Sequence, residues 1–283
     1  MKKNPKWAGF YLGAVLLLLY LPILVVVLFS FNANPGRTAN FAFEGFSLQW
    51  YAALFDPAAG YGAALRTSLA VAAWSVGLSV IIGTLGAVGL ARRRARRGLA
   101  QRAAAAALGA GEQLATLPIM LPEITLAIAL MAMFSALRLP FGMVTLVLSH
   151  VVFCVPYIFI TVRGRLMTLE PGLEEAARDL GATPVKALAT VTLPLAFPAI
   201  LSGSLLAFAM SMDDFVISFF VNGAETTTLP LKVYSSVKVG VPPHVNALCT
   251  VMLGAAFLLV ALGQAAGGGK RRRQKGMREA RAA

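Results

Sequence analysis

The chain has 283 residues, of which 58% are hydrophobic and 13% are charged, and its mean hydropathy is +0.75. A soluble domain of this length carries about twice that charged fraction, so the composition excludes an ordinary water-soluble enzyme or binding module. The formal net charge is +13, and its meaning depends on where the basic residues lie relative to the apolar runs.

Six apolar runs recur along the chain, each near the roughly 20 residues that a helix needs to cross a bilayer. We predict spans at about 7–31, 63–91, 114–136, 141–163, 196–221 and 246–266, and hence an all-α, polytopic membrane protein with six transmembrane helices. The first run follows three lysines, as a signal peptide does, but it is longer than a signal core and no convincing cleavage site follows. The alanine run 103–111 fits either a surface helix or an early start of the third span.

The basic residues predict the orientation, because cytoplasmic segments of membrane proteins are enriched in Lys and Arg. All but five of the 25 basic residues lie at the N-terminus, in the loop 92–102, in the segment 163–186 and in the tail 270–281. We therefore predict a cytoplasmic N-terminus (1–6), a membrane domain (7–266) and a basic, disordered cytoplasmic tail (267–283). Lipid headgroups explain the arginine runs; nucleic-acid binding fits poorly, because the runs lack interleaved aromatic residues.

The connection 164–195, between the fourth and fifth runs, is unusual because it is long and charged. Glu174, Glu175, Arg178 and Asp179 give its first part a hydrated face, and charges beside a span need water or a soluble partner. Gly181 can leave the helical conformation at low cost. Pro184 suits the first turn of a second helix, and Pro194 and Pro198 mark re-entry into the membrane. The pattern predicts helix, break, helix on the cytoplasmic side.

This spacing resembles the coupling loop of ABC importer permeases. The residues that carry the resemblance are Glu175, Ala176 and Ala177, then Gly181, then Val191, Leu193 and Pro194, with Val191 standing where the family has Ile. The resemblance implies the type I importer permease fold and a cytoplasmic ATPase that grips this loop. The alternative is an amphipathic loop that merely lies on the membrane surface.

Three acidic residues lie within apolar segments. Placing an ionised carboxylate in hydrocarbon costs on the order of several kcal/mol unless the group faces a cavity or a partner. Asp213 and Asp214 are adjacent, and neighbouring residues on a helix point about 100° apart, so we expect only one of them to face a solute pathway. Subunit packing and helix breaking are the alternatives for the pair. Glu123 follows Pro122 and suits a helix's first turn, where the dipole favours an anion.

Motifs for chemistry are absent from the sequence. It has no G-x-x-x-x-G-K-[ST], no H-E-x-x-H and no G-x-S-x-G. Cys154 and Cys249 fall inside predicted spans, and His150 and His244 stand in no ligand-spaced cluster, so we expect no metal site and no disulfide. We expect no cofactor in this chain and no catalytic residue; ATP and Mg²⁺ would be bound by a partner ATPase.

The stretch 211–250 narrows the resemblance to permeases of spermidine/putrescine importers. The matching features are Ser211-Met212-Asp213-Asp214, Thr228-Leu229-Pro230-Leu231, and Gly240-Val241 followed by Pro243, Val245, Asn246 and Ala247. Glu123 also stands where that family often has an acid. The resemblance covers about 7–265 and implies a second permease subunit in a heterodimer, an ABC ATPase dimer, a periplasmic or lipoprotein substrate-binding protein, and polyamine import into a bacterium by alternating access.

Two other functions stay open at this point. The nearer one is the same machine with another solute, such as an amino acid, iron or an anion; acids in the pathway argue against anions. The farther one is a membrane-embedded lipid-modifying enzyme, which would need a clustered Asp/His or metal signature that the sequence does not display.

Overall fold

Helices form nearly all of the regular structure. The computed structural model describes residues 5–33, 42–95, 101–170, 172–238, 240 and 242–258, so the loop 96–100 and the tail 267–283 lie outside the described residues. The helices are α1 (Pro5–Phe29), α2 (Gln49–Leu54), α3 (Tyr61–Ala95), α4 (Gln101–Met120), α5 (Glu123–Ala136), α6 (Met143–Met167), α7 (Leu173–Asp179), α8 (Pro184–Ala187), α9 (Leu193–Asp213), α10 (Val216–Val221), α11 (Leu229–Lys238) and α12 (Pro243–Leu258). A 3₁₀ turn occupies Pro57–Ala59 and a π-helical turn occupies Leu188–Thr192.

Within the described residues, four helical stretches are long and apolar enough to cross a membrane. They are Gly9–Phe29, Tyr61–Ala91, Met143–Met167 and Pro184–Asp213, and they correspond to the predicted first, second, fourth and fifth spans. The described part of α12 covers the first part of the predicted sixth span, and residues 259–266 lie outside the described residues. Within the described residues the count is four spans, or five if the bent pair is one span, so the predicted count of six is not fully confirmed.

The third predicted span, 114–136, is broken in the structure. Gly109–Met120 and Glu123–Ala136 are two helices bent by 104° at a short break. Pro122 causes the break, because its ring removes a backbone donor and clashes with the preceding turn; its ψ of 130° is extended. The run 103–111 lies within α4, ahead of this bend.

The fifth span also differs from the prediction, at both of its ends. One continuous helix runs from Pro184 through the π-helical turn to Asp213, so Pro194 and Pro198 lie inside a helix. That they mark re-entry into the membrane stays a prediction. The wider π turn relieves the clash that Pro194 would make with the carbonyl four residues earlier. The helix then ends at Asp213, eight residues before the predicted end, and α10 begins separately at Val216.

The chain forms two compact units, residues 1–62 with 233–283, and residues 63–232. In the second unit α6 is the central helix and packs against α9, α4 and α10. Glycines permit the closest approaches: a Cβ on Gly203 would lie 3.1 Å from the Ile158 Cα, and one on Gly83 would lie 3.1 Å from the Val155 carbonyl oxygen. Phe134, Leu146 and Phe159 fill the space between these helices.

In the first unit, Asn32 organises the segment that follows α1. Its side-chain amide donates to the Ala42 carbonyl at 2.6 Å and accepts from the Glu44 amide at 2.7 Å. The Trp50 indole donates to the Asn32 carbonyl at 2.8 Å. The most apolar 18-residue stretch of α1 has no buried residue. The described part of the chain therefore does not cover this stretch.

Candidate functional site

The three acids predicted for the pathway lie at helix ends in the second unit. Glu123 is the first residue of α5, Asp213 is the last residue of α9, and Asp214 lies in the break before α10. α10 packs closely against α5, which brings residues about 90 positions apart in the sequence together. Glu123 lies in a first helical turn, as its position after Pro122 predicts, and the helix dipole favours its carboxylate there.

Asp214 is buried, with 5% of its surface exposed, and both of its carboxylate oxygens accept hydrogen bonds from the protein. Oδ2 accepts hydrogen bonds from the Ser218 amide at 2.8 Å and from the Ser218 hydroxyl at 2.6 Å, and Oδ1 accepts from the Ile217 amide at 3.2 Å. These amides begin α10, so Asp214 satisfies the free N–H groups of a helix start. Its side chain therefore ends one helix and starts the next.

Asp213 and Glu123, unlike Asp214, are exposed. The Glu123 carboxyl lies within electrostatic range of both Asp214 and Asp213. Carboxyl groups gathered this closely repel one another unless a proton or a cation neutralises them. The structure thus brings all three predicted acids into one acidic cluster, in which Asp213 and Glu123 face outward and Asp214 faces the protein interior.

His150 is the residue of this cluster that the sequence did not reveal. It lies in α6 and is 1% exposed, and its Nε2 is 3.3 Å from Asp214 Oδ2 and 3.1 Å from the Ser218 hydroxyl. Its Nδ1 is 2.7 Å from the Ser211 hydroxyl. A histidine in the middle of an apolar run was the available signal, because a buried imidazole needs polar partners; nothing in its spacing pointed to Asp214.

The coupling segment has the helix, break and helix that the sequence predicts. α7 ends in a Schellman motif, in which the Gly181 amide donates to the Arg178 carbonyl at 2.9 Å and the Ala182 amide donates to the Ala177 carbonyl at 3.0 Å. Gly181 has φ of +89°, a conformation that favours glycine. Thr183 then caps α8 by accepting from the Lys186 amide at 3.3 Å, with Pro184 in the first turn.

The other predicted coupling residues divide between the surface and the packed side of the segment. Glu175, Ala176, Gly181 and Pro194 are exposed, whereas Ala177, Val191 and Leu193 are half-buried. The Thr192 hydroxyl donates to Glu174 Oε2 at 3.4 Å, which ties the π-helical turn to α7. At the tip, Leu180 is 91% exposed and Val185 is 74% exposed. Apolar side chains presented this openly beside charged ones are typical of a protein contact surface.

A partly exposed ion pair connects two helices near the same end of α6. The Arg163 guanidinium contacts the Glu112 carboxylate of α4 and lies 5.9 Å from the centre of the Phe159 ring. Arg163 is 14% exposed and Glu112 43% exposed at the side chain. The pair holds α4, the helix before the bend, against α6.

The comparisons with known proteins decide the family. Residues 109–266 match the family described as binding-protein-dependent transport system inner membrane component. The match covers more than half of the 283 residues and contains both the acidic cluster and the coupling segment. The chain belongs to this family. It is therefore a multi-pass membrane component of a transport system and not an enzyme, and membership implies that an ATPase and a substrate-binding protein act with it.

Several curated relatives are similar over nearly the whole chain. The putrescine transport system permease protein PotI of Escherichia coli K12 is 40% identical over 247 residues, which is 85% of this chain and 83% of that protein. The spermidine/putrescine transport system permease protein PotC of Haemophilus influenzae is 38% identical over 250 residues, 87% of this chain and 90% of that protein. PotC of E. coli K12 is 36% identical over 260 residues, 90% of this chain and 92% of that protein.

A solved structure supports the fold of this family member. A chain from a bacterial ABC transporter involved in the import of the acidic polysaccharide alginate aligns with a TM-score of 0.68, covering 94% of this chain and 97% of that chain at 16% identity. At that identity the likeness concerns the fold alone. The all-α importer permease fold is confirmed.

Proposed function

We propose that the chain is the permease subunit that carries polyamines, putrescine or spermidine, into a bacterial cell by alternating access. The observation that supports the cargo most directly is the acidic cluster of Glu123, Asp213 and Asp214 inside otherwise apolar segments. Relatives that are 36–40% identical to this chain are putrescine or spermidine/putrescine transport permeases, which also supports this cargo.

The charge of the cluster suits a polycation. A polyamine carries several ammonium groups, and an ammonium that leaves water needs anionic or carbonyl partners on its way. Two exposed carboxylates offer an attraction of about 1 kcal/mol each in a hydrated path, since water screens such pairs strongly. That is enough to guide a cation but too weak to trap it, and it disfavours an anionic solute.

The coupling segment is the proposed contact with the ATPase. An ATPase dimer that binds ATP and Mg²⁺ would grip Glu175, Gly181 and the exposed Leu180 and Val185, and its closure would push on α7. Movement of the coupling segment would reach the pathway through one helix, because α8, the π-helical turn and α9 are continuous from Pro184 to Asp213. The far end of that helix carries the cluster's Asp213. A second permease subunit, forming a heterodimer, and a substrate-binding protein complete the proposed machine.

Uptake by cells tests the cargo. Cells that lack other polyamine importers would express this chain with the ATPase, the second permease and the binding protein of the same importer. Their accumulation of radiolabelled putrescine and spermidine would then be measured. We expect accumulation that requires this chain and that unlabelled polyamines abolish. Competition by an amino acid, ferric iron or sulfate with no competition by polyamines would replace the cargo with that solute.

Thiol labelling tests the proposed orientation, with both termini in the cytoplasm. In a background with Cys154 and Cys249 replaced by alanine, Leu180→Cys should react with an impermeant maleimide only after the cells are opened. Glu225→Cys, in the exposed loop between α10 and α11, should react in intact cells. The reverse pattern would invert the orientation.

A further inference from the structure

His150 joins the two helices that meet at the acidic cluster. Its Nδ1 contacts the Ser211 hydroxyl in the last turn of α9, and its Nε2 contacts Ser218 in α10 and Asp214 in the break between them. The imidazole comes from a third helix, α6, about 10 Å along that helix from its start. One side chain therefore holds both sides of a break in a membrane helix.

The hydrogen-bond roles in this network select one tautomer of the imidazole. The Ser218 hydroxyl gives its proton to Asp214 Oδ2, 2.6 Å away, and so accepts at its own oxygen. A carboxylate only accepts, so the nitrogen that faces Ser218 and Asp214 must carry a hydrogen. Nε2–H is thus the donor, and it faces both the Ser218 hydroxyl at 3.1 Å and Asp214 Oδ2 at 3.3 Å. Nδ1 lies within hydrogen-bond distance of the Ser211 hydroxyl, 2.7 Å away.

The break needs such a tie, because its backbone is not held by helical hydrogen bonds. Asp214 has an extended conformation, with φ of −63° and ψ of 120°, and α10 contains only six residues. Besides His150, the described polar contacts at this break are the Asp214 cap, the Thr145 hydroxyl that donates to the Val221 carbonyl at 2.8 Å, and the Ser75 hydroxyl 3.5 Å from that of Ser211. His150 is the side chain that contacts both α9 and α10. The capping carboxylate of Asp214 is also within electrostatic range of the Glu123 carboxyl.

We propose that His150 is a positioning residue for the cation path: by holding Ser211 and Ser218 together across the break, it fixes where Asp214 presents itself to Glu123 and where Asp213 is exposed. This inference rests on the proposed polyamine transport. It assigns the buried histidine a role in coupling, since the helix that the ATPase would push through the coupling segment ends at this tie.

Two substitutions separate the two ends of the tie. His150→Gln retains an amide donor near the position of Nε2 and loses the contact with Ser211; His150→Asn retains a polar group near the position of Nδ1 and does not reach Asp214. Ser211→Ala breaks the same contact as His150→Gln without changing the histidine. Ser202→Ala is the matched control on α9, because Ser202 is exposed and bonds only within its own helix, to the Pro198 carbonyl at 2.8 Å.

The measurement is the number of putrescine molecules transported per ATP hydrolysed, with the complete complex in proteoliposomes and its thermal stability recorded in parallel. Loss of one hydrogen bond from a tie of this kind corresponds to about a two- to tenfold effect. We expect His150→Gln, His150→Asn and Ser211→Ala to lower the ratio by about that factor while ATP hydrolysis stimulated by the binding protein continues. Ser202→Ala should keep the wild-type ratio.

Each other outcome overturns the inference. A wild-type ratio in His150→Gln or Ser211→Ala would show that the bridge to α9 has no role in positioning. Transport and ATP hydrolysis that fall together, in proportion to a loss of thermal stability, would make His150 an ordinary packed core residue. Failure of the proposed function is distinct, because then the wild-type complex itself would transport no putrescine.

Discussion

The two adjacent acids, Asp213 and Asp214, should respond differently to loss of charge. Asp214→Asn keeps one of the two side-chain oxygens and replaces the other, so an amide N–H₂ faces either the Ile217 amide at Oδ1 or the Ser218 amide and hydroxyl at Oδ2 in a buried site. A hydrogen bond to a charged group is worth about 1.5–3 kcal/mol, and a buried donor left without a partner costs a similar amount. We therefore expect the free energy of unfolding to fall by about 3 kcal/mol in Asp214→Asn.

Asp213→Asn should leave folding nearly unchanged, within about 0.5 kcal/mol, because this side chain is exposed. Its effect should instead appear as roughly five- to tenfold slower putrescine uptake, the consequence of losing about 1 kcal/mol of attraction for an ammonium group. Thermal unfolding of the purified complex, co-purification with the second permease, and uptake at matched membrane abundance separate the two effects. Asp214→Asn with wild-type stability, or Asp213→Asn that prevents assembly, would refute the assignment of interior and outward roles.

Three further changes test the coupling segment and the packing of the unit. Gly181→Ala should cost about 1 kcal/mol of backbone strain at φ +89° and slow uptake, with Gly181→Asn milder, since asparagine tolerates this conformation; equal uptake in both variants and the wild type contradicts this. Gly223→Ala should destabilise by about 3 kcal/mol, because its Cβ would lie 2.3 Å from a backbone oxygen in the turn before α6, whereas Gly77→Ala, in open space, should not, as thermal unfolding would show. A double-mutant cycle of Glu112→Gln and Arg163→Gln should give a coupling energy of about 1 kcal/mol, reduced from a fully buried pair by the exposure of the carboxylate, and additive effects would contradict this.

Local chemistry made part of the site predictable from the sequence. Gly181 and Pro184 act within one or two turns of the chain, so the break between α7 and α8 follows from their own conformational preferences. Glu123 in a first helical turn follows in the same way from Pro122. Hydrophobic length predicted four of the spans, because crossing a bilayer constrains length and composition more than packing does.

Packing between distant segments decided what the sequence did not reveal. Pro122 fixes where the chain breaks between α4 and α5, but its local chemistry does not set the 104° angle between these helices. The helix through Pro194 contains a π-helical turn that the local sequence pattern does not predict. The contact between His150 and Asp214 joins residues 64 positions apart. Such pairs become visible only when α6, α9 and α10 are placed together.

ATP-driven accumulation of radiolabelled putrescine in proteoliposomes tests the central claim most directly. The vesicles would contain this chain, the second permease and the ATPase, with the binding protein on the outside, and wild type would be compared with Asp213→Asn at equal protein content. We predict accumulation against a gradient by the wild type, competition by spermidine but not by an amino acid or sulfate, and uptake that is five- to tenfold slower in Asp213→Asn. Binding-protein-stimulated ATP hydrolysis without putrescine accumulation in the wild type, or equal uptake by the two proteins, would contradict the account.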